Sequence, residues 1–238
     1  MILEVAVDDP LGLAAAVAGG ADRIELCSAL DLGGLTPSAG LMRHAAGCGL
    51  PIMAMIRPRA GGFCLDDTDL LIMLADIATA RQAGLAGVVF GALTTDLTLD
   101  LPKMSQLCAA ADGMQITLHR AFDLIEDWRR ALDQAVASGV NRILTSGAAL
   151  SAPAGITRLA EIVDYAAGRI GILLCGNGRA IKEFEDRRIA CFVQRPGYGR
   201  CQKHRFRLCQ PQRTTNRRRE GPRLEGRDDG ALGRAILA

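Results

Sequence analysis

Six glycines, Gly20, Gly49, Gly84, Gly113, Gly139 and Gly168, recur at intervals of 29, 35, 29, 26 and 29 residues, each shortly before an apolar run. A glycine closing a helix takes the left-handed conformation that other residues avoid. The spacing therefore predicts one helix-to-strand junction about every thirty residues, the period of a βα unit. The strands read at 2–7, 23–27, 51–56, 87–90, 114–119, 142–145 and 170–174. Helical patterns lie between them, including 68–82, with Leu70, Leu71, Leu74, Ile77 and Ala78 on one face, and 128–137. Pro37 and Ser38, Asp100 to Pro102, and Asp127 mark helix starts.

Such alternation implies a parallel sheet with right-handed crossovers, either open and doubly wound or closed as an eightfold barrel. Regularity favours the barrel, and no Gly-x-Gly-x-x-Gly follows the first strand as a dinucleotide fold requires. The 238 residues fit one such domain. With 49% hydrophobic but 4% aromatic residues, the interior is aliphatic, which suits strands covered on both faces. The expected fold is an α/β, TIM-type (β/α) barrel.

The pattern fails at its eighth unit, which is expected to be missing or disrupted, leaving the edges of strands 1 and 7 unpaired. Residues 1–186 hold 14 Lys and Arg against 22 Asp and Glu, whereas residues 187–238 hold 14 against 4. From about Gln194 onward, Arg, Gln, Pro and Gly replace periodic apolar residues, a composition of disorder. The expected division is a barrel domain over 1–193 and a basic, disordered or out-of-frame tail over 194–238. In the tail, Arg217, Arg218 and Arg219 would suit nucleic-acid phosphates, but the scarcity of interleaved aromatics argues against that partner. Cys191, Cys201, His204 and Cys209 lack the close cysteine pair of a zinc site.

Glu4, Asp8 and Asp9 interrupt any apolar leader, and no uninterrupted apolar run is long enough to span a bilayer. A cytoplasmic protein with its eight cysteines reduced and no membrane partner is expected.

Side chains of a barrel strand alternate between the interior and the helix shell. One register places Glu4 and Ala6, then Glu25 and Cys27, inward; the other would bury carboxylates under helices. The same logic aligns Met53, Met55 and Arg57, then Gln115, Thr117 and His119, with Ser146 ending strand 6. Buried charges need compensation, so Glu4, Glu25, Arg57, Arg59, His119, Arg120 and Asp123 pair with one another or with a ligand. For Glu4 and Glu25, an internal ion network competes evenly with a ligand role. Arg57 and Arg59, followed by Ala60-Gly61-Gly62, offer guanidinium groups to an anion. Gly176-Asn177-Gly178 occupies a place where barrels bind phosphate. His119 is a base, a metal ligand or a structural residue on its chemistry alone. Cys27 is a soft ligand for Cu(I), with Met53 or Met55 beside it, or a core thiol.

The runs Gly20-Ala21-Asp22-Arg23-Ile24-Glu25-Leu26-Cys27-Ser28, Gly33-Gly34-Leu35-Thr36-Pro37-Ser38, Ile56-Arg57-Pro58-Arg59, His119-Arg120-Ala121-Phe122-Asp123 and Leu144-Thr145-Ser146-Gly147 together resemble the CutC family, over about residues 1–190. The resemblance implies a cytoplasmic, homo-oligomeric barrel concerned with copper homeostasis, with Cys27 as a copper ligand. The family's second thiolate would come from strand 1, where this chain has Ala6. It also implies a further strand and closing helix after residue 190. Codons for Cys191 through Tyr198, shifted by one nucleotide, can spell Ala-Ser-Ser-Ser-Ala-Arg-Val, close to the family's motif. Two functions follow: a copper-homeostasis protein binding Cu(I) through Cys27, or an enzyme acting on a small anionic or phosphorylated metabolite. In the second, Arg57 and Arg59 clamp the anion, His119 is acid or base and Glu25 its partner, with Glu4, Arg120, Asp123 and Ser146 as further ligand contacts.

Overall fold

The structure is a computed structural model and describes residues 2–175 and the backbone of residues 190–194. The elements run β1 (Leu3–Val7), α1 (Pro10–Ala18), β2 (Arg23–Leu26), α2 (Ala39–Ala46), β3 (Ile52–Met55), α3 (Asp67–Gln82), β4 (Gly87–Phe90), α4 (Leu101–Ala110), β5 (Gln115–Leu118), α5 (Trp128–Ala137), β6 (Arg142–Thr145), α6 (Ile156–Ala166), β7 (Gly171–Cys175) and β8 (Ala190–Gln194). Short 3-10 turns follow β2 at Leu30–Leu32 and β5 at Arg120–Leu124. The six junction glycines all have φ between 74° and 82°. Ser38, Asp100 and Asp127 each accept a backbone N–H at the start of α2, α4 and α5, so those sequence signals act as helix caps.

The eight strands form a closed parallel barrel in sequence order. This corrects the expectation of open edges: Leu3 to Ala6 of β1 lie opposite Cys191 to Gln194, and β8 pairs on its other side with β7. The eighth unit thus contributes its strand. Gly176-Asn177-Gly178, the side chains around Cys191, and the tail after Gln194 lie outside the described residues.

Strand alternation divides the core in two. Ala6, Cys27, Leu30, Met53, Met55, Val89, Leu144 and Leu173 form a cluster inside the barrel. Val5, Val7, Ile24, Leu26, Ile52, Ala54 and their equivalents pack outward against the helices. In α3 the buried stripe is Leu70, Met73, Ile77 and Ala80. Leu71, expected on the inner face, is 68% exposed and Ala78 is exposed as well. That helix is apolar on several sides, so the sequence offered two stripes and the packing chose one.

Gly87 begins β4 where Met53 of the neighbouring strand crosses the interior. A Cβ there would overlap the Gln115 carbonyl oxygen and approach Met53 Sδ to 2.7 Å. The Gln115 carbonyl belongs to the sheet and cannot swing away. Gly87→Ala is expected to cost about 3 kcal/mol in urea unfolding, while Gly62→Ala, whose Cβ would meet nothing within 4 Å, stays within about 0.5 kcal/mol of wild type.

Candidate functional site

Charged side chains occupy three levels of the barrel. At the floor, near the strand starts, Glu4 is fully buried and paired with the guanidinium of Arg23, its partner across the β1–β2 ladder. Arg142, first residue of β6, donates to Thr117 Oγ1 at 3.1 Å and Gln115 Oε1 at 2.6 Å, with Nη2 3.4 Å from Met53 Sδ. Burial, with Arg23 nearby, brings the Arg142 guanidinium down to about 10. Glu4 therefore lies at the end of the barrel away from the strand C-termini, in an ion network. Arg23 and Arg142 were missed in the sequence. Arg23 was legible as the residue two before Glu25, on the same face.

At mid-height sits Glu25, only 2% exposed, whose Oε2 accepts from the Cys27 thiol at 3.9 Å and whose Oε1 has no hydrogen-bond partner among the described residues. Burial, reinforced by Glu4, holds its carboxyl well above the usual range. Burial and Glu25 likewise push the Cys27 thiol up, so it stays protonated. Gly34 closes over this thiol with φ +83°; a Cβ there would lie 3.1 Å from Cys27 Sγ and 3.5 Å from Met55 Cε.

The mouth carries two separate groups. In the first, Asp123 accepts from Thr145 Oγ1 (2.5 Å), the Ser146 and Ala148 amides, Ser146 Oγ (3.0 Å) and Arg120 Nε (2.9 Å). Arg120 also donates to Ser146 Oγ at 2.7 Å. Every group here has a partner, and the arrangement ties the end of β5 to the loop after β6. Cys175, not anticipated from sequence, lies beside Arg120, and burial raises its thiol to about 11.

The second group is different. Arg57 is 9% exposed, and its Nη1 donates to the Leu32 (3.0 Å) and Gly34 (3.2 Å) carbonyls while Nη2 donates to Gly61 (2.8 Å). No carboxylate lies within ion-pair distance of it among the described residues, and its Nε has no hydrogen-bond partner there. Five N–H donors less three leaves, among the described residues, the buried Nε hydrogen and one on Nη2 without a partner. Phe63, also missed, carries the Arg57 guanidinium 5.1 Å from its ring centroid and stacks 4.6 Å from the His119 ring. His119 Nδ1 accepts from the Ala121 amide at 3.3 Å. Burial, then the Arg57 charge, lowers its imidazole to about 3, so it is neutral at physiological pH.

Arg59 does not join this group. Its Nε donates to both carboxylate oxygens of Asp69 at 3.0 and 2.9 Å, in the first turn of α3. The expected pair of clamping arginines is therefore one arginine facing the mouth and one turned to a helix. Among the described residues, no cluster of three or more His, Cys, Asp or Glu is placed to hold a metal ion, and no helix is long and apolar enough to cross a membrane.

A model of the CutC family matches residues 1–195. A protein of Rhizobium meliloti (strain 1021), named family protein CutC, is 57% identical over 171 residues, covering 72% of this chain and 70% of its own length. One from Caulobacter vibrioides (strain NA1000 / CB15N) with the same name is 53% identical over 173 residues, covering 73% and 71%. Among solved structures, one from Streptococcus agalactiae that carries the name copper homeostasis protein CutC superposes with a TM-score of 0.76 at 31% identity, covering 82% of this chain and 99% of that one.

The neutral His119 makes stability depend on pH in a defined sense. Its folded pKa of about 3 lies below the unfolded value near 6.5, so the unfolded state binds the extra proton between them and stability is lost as pH falls. Between pH 7 and pH 5, wild type is expected to lose about 2 kcal/mol relative to His119→Gln in denaturant unfolding. Parallel losses in the two proteins would refute the assignment.

Proposed function

The chain belongs to the CutC family, and on that premise we propose that its barrel mouth binds a small oxyanion through Arg57. The observation that carries this is a buried guanidinium with no carboxylate within ion-pair distance among the described residues, at the strand ends where barrel proteins build their sites. Glu25, inside the barrel, is held towards its neutral form by burial and by Glu4, so it offsets little of that charge. Glu4 belongs to the floor network, and Arg120, Asp123 and Ser146 form the wall. In this reading the barrel domain spans 1–193, a division supported by a family match that ends at residue 195.

Copper is the ligand that the family and the name of the Streptococcus protein imply, with Cys27 as its donor. The residues around Cys27 do not fit Cu(I) well. Ala6 stands where a second thiol would be needed, Met55 is the soft donor at hand, Met53 is against Arg142, and burial keeps the thiol protonated. Chelator competition for Cu(I) is expected to give the same affinity for wild type and Cys27→Ser. A tenfold or greater loss in the variant would restore the copper reading.

The oxyanion reading is tested by a thermal-shift screen of small phosphorylated and carboxylated metabolites. A ligand at about a hundred times its Kd is expected to raise Tm by about 5 °C. Arg57→Lys abolishes that shift and Arg59→Lys, whose partner is Asp69, retains it. No stabilising anion, or equal shifts in both variants, would end the proposal.

A further inference from the structure

His119 is fixed in more than position. Its ring lies between Phe63 and the backbone of Gly91, where a Cβ would come within 2.7 Å of His119 Cε1. Any larger residue at 91 would push the ring away, so the missing side chain is the slot that holds it. With Nδ1 accepting the Ala121 N–H, a neutral imidazole must carry its own hydrogen on Nε2. Nε2 makes no hydrogen bond among the described residues. The ring thus carries a donor with no partner among the described residues, near Arg57, the two side chains sharing Phe63 as a platform.

We infer that His119 acts as a neutral Nε2–H donor to the bound anion, and that the anionic group is tetrahedral: the phosphate of a small phosphorylated molecule. This rests on the oxyanion reading of Arg57 and adds the identity of the group bound. Two adjacent guanidinium donors match two oxygens. A third donor, arriving from a separate strand, finds its acceptor most directly on a third oxygen, which a phosphate has and a carboxylate lacks. His119 is then a binding residue, and proton abstraction is not its task.

The chain has three histidines, His44, His119 and His204, so long-range 1H–15N spectra of histidine-labelled protein resolve each ring, and His119→Gln assigns the signal. At pH 7 His119 is expected to show a protonated Nε2 and an unprotonated Nδ1, with Nε2 moving as inorganic phosphate is titrated. Phosphate should bind at least tenfold more tightly than acetate, and His119→Gln should weaken it by up to about tenfold, the worth of one hydrogen bond. If His119→Gln fails to fold, the titration of wild type decides alone. Phosphate binding that Arg57→Lys removes but that leaves Nε2 unmoved, a proton found on Nδ1, or equal affinity for acetate would each overturn the role of His119 while leaving the oxyanion site standing. Absence of binding by both anions would overturn the inference together with the reading beneath it.

Discussion

A charge placed inside a β-barrel must find its compensation inside the barrel, and this constraint organises the molecule. The alternation of strand side chains leaves no choice about where Glu4, Arg23, Glu25, Arg57 and Arg142 point, because the opposite register would put them under the helices. At the floor the requirement is met within the chain: Glu4 takes Arg23, and Arg142 is shared among Thr117, Gln115 and Met53. Removing one member of such a buried pair strands the other, at a cost of about 3 to 5 kcal/mol, which is the signature of a stability element. At Arg57 in the mouth, the partners among the described residues are carbonyl dipoles. Arg57 is held by three backbone oxygens, which position a charge without neutralising it.

Those carbonyls do a second job. Leu32 and Gly34 belong to the loop after β2 and Gly61 to the loop after β3, so one guanidinium fastens two loops over the interior. The loop after β2 can come close enough because Gly33 and Gly34 both have positive φ, a conformation that costs glycine little. Its descent is what shuts Cys27 away from water. The buried thiol and the positioned arginine are consequences of a single backbone path.

Much of this was legible in the sequence, and for identifiable reasons. The junction glycines, the capping Ser38, Asp100 and Asp127, and the inward alternation all depend on local backbone geometry, which a few residues determine. The destination of long side chains was not legible. Arg57 and Arg59 are two residues apart on one loop, yet one turns to carbonyls in the mouth and the other to Asp69 on α3. That choice depends on where α3 begins in space. Leu71 failed similarly, since α3 has apolar residues on more than one side and only the neighbouring elements decide which stripe is buried. The loss of pattern after residue 190 hid β8, whose five residues pair with both neighbours through backbone groups that composition does not report.

The two groups at the mouth differ in charge compensation: Arg120 has Asp123 as its counter-ion, whereas Arg57 has no carboxylate within ion-pair distance among the described residues. Asp123 accepts from Thr145, Ser146, Ala148 and Arg120, so its carboxylate is satisfied within the fold, and Arg120 gives three of its five donors to Asp123, Ser146 and Ala149. Arg57 Nε and His119 Nε2 have no hydrogen-bond partner among the described residues, and on the oxyanion reading a ligand supplies one. Desolvation has already been incurred by the fold, since both side chains are buried before anything binds. A preorganised donor set of this kind discriminates by geometry, because its members cannot shift to follow a poorer fit: Gly91 fixes the imidazole and three carbonyls fix the guanidinium. On the oxyanion reading, the rigidity that makes the floor a stability element makes the mouth selective, and the difference between them lies in which polar atoms lack partners among the described residues.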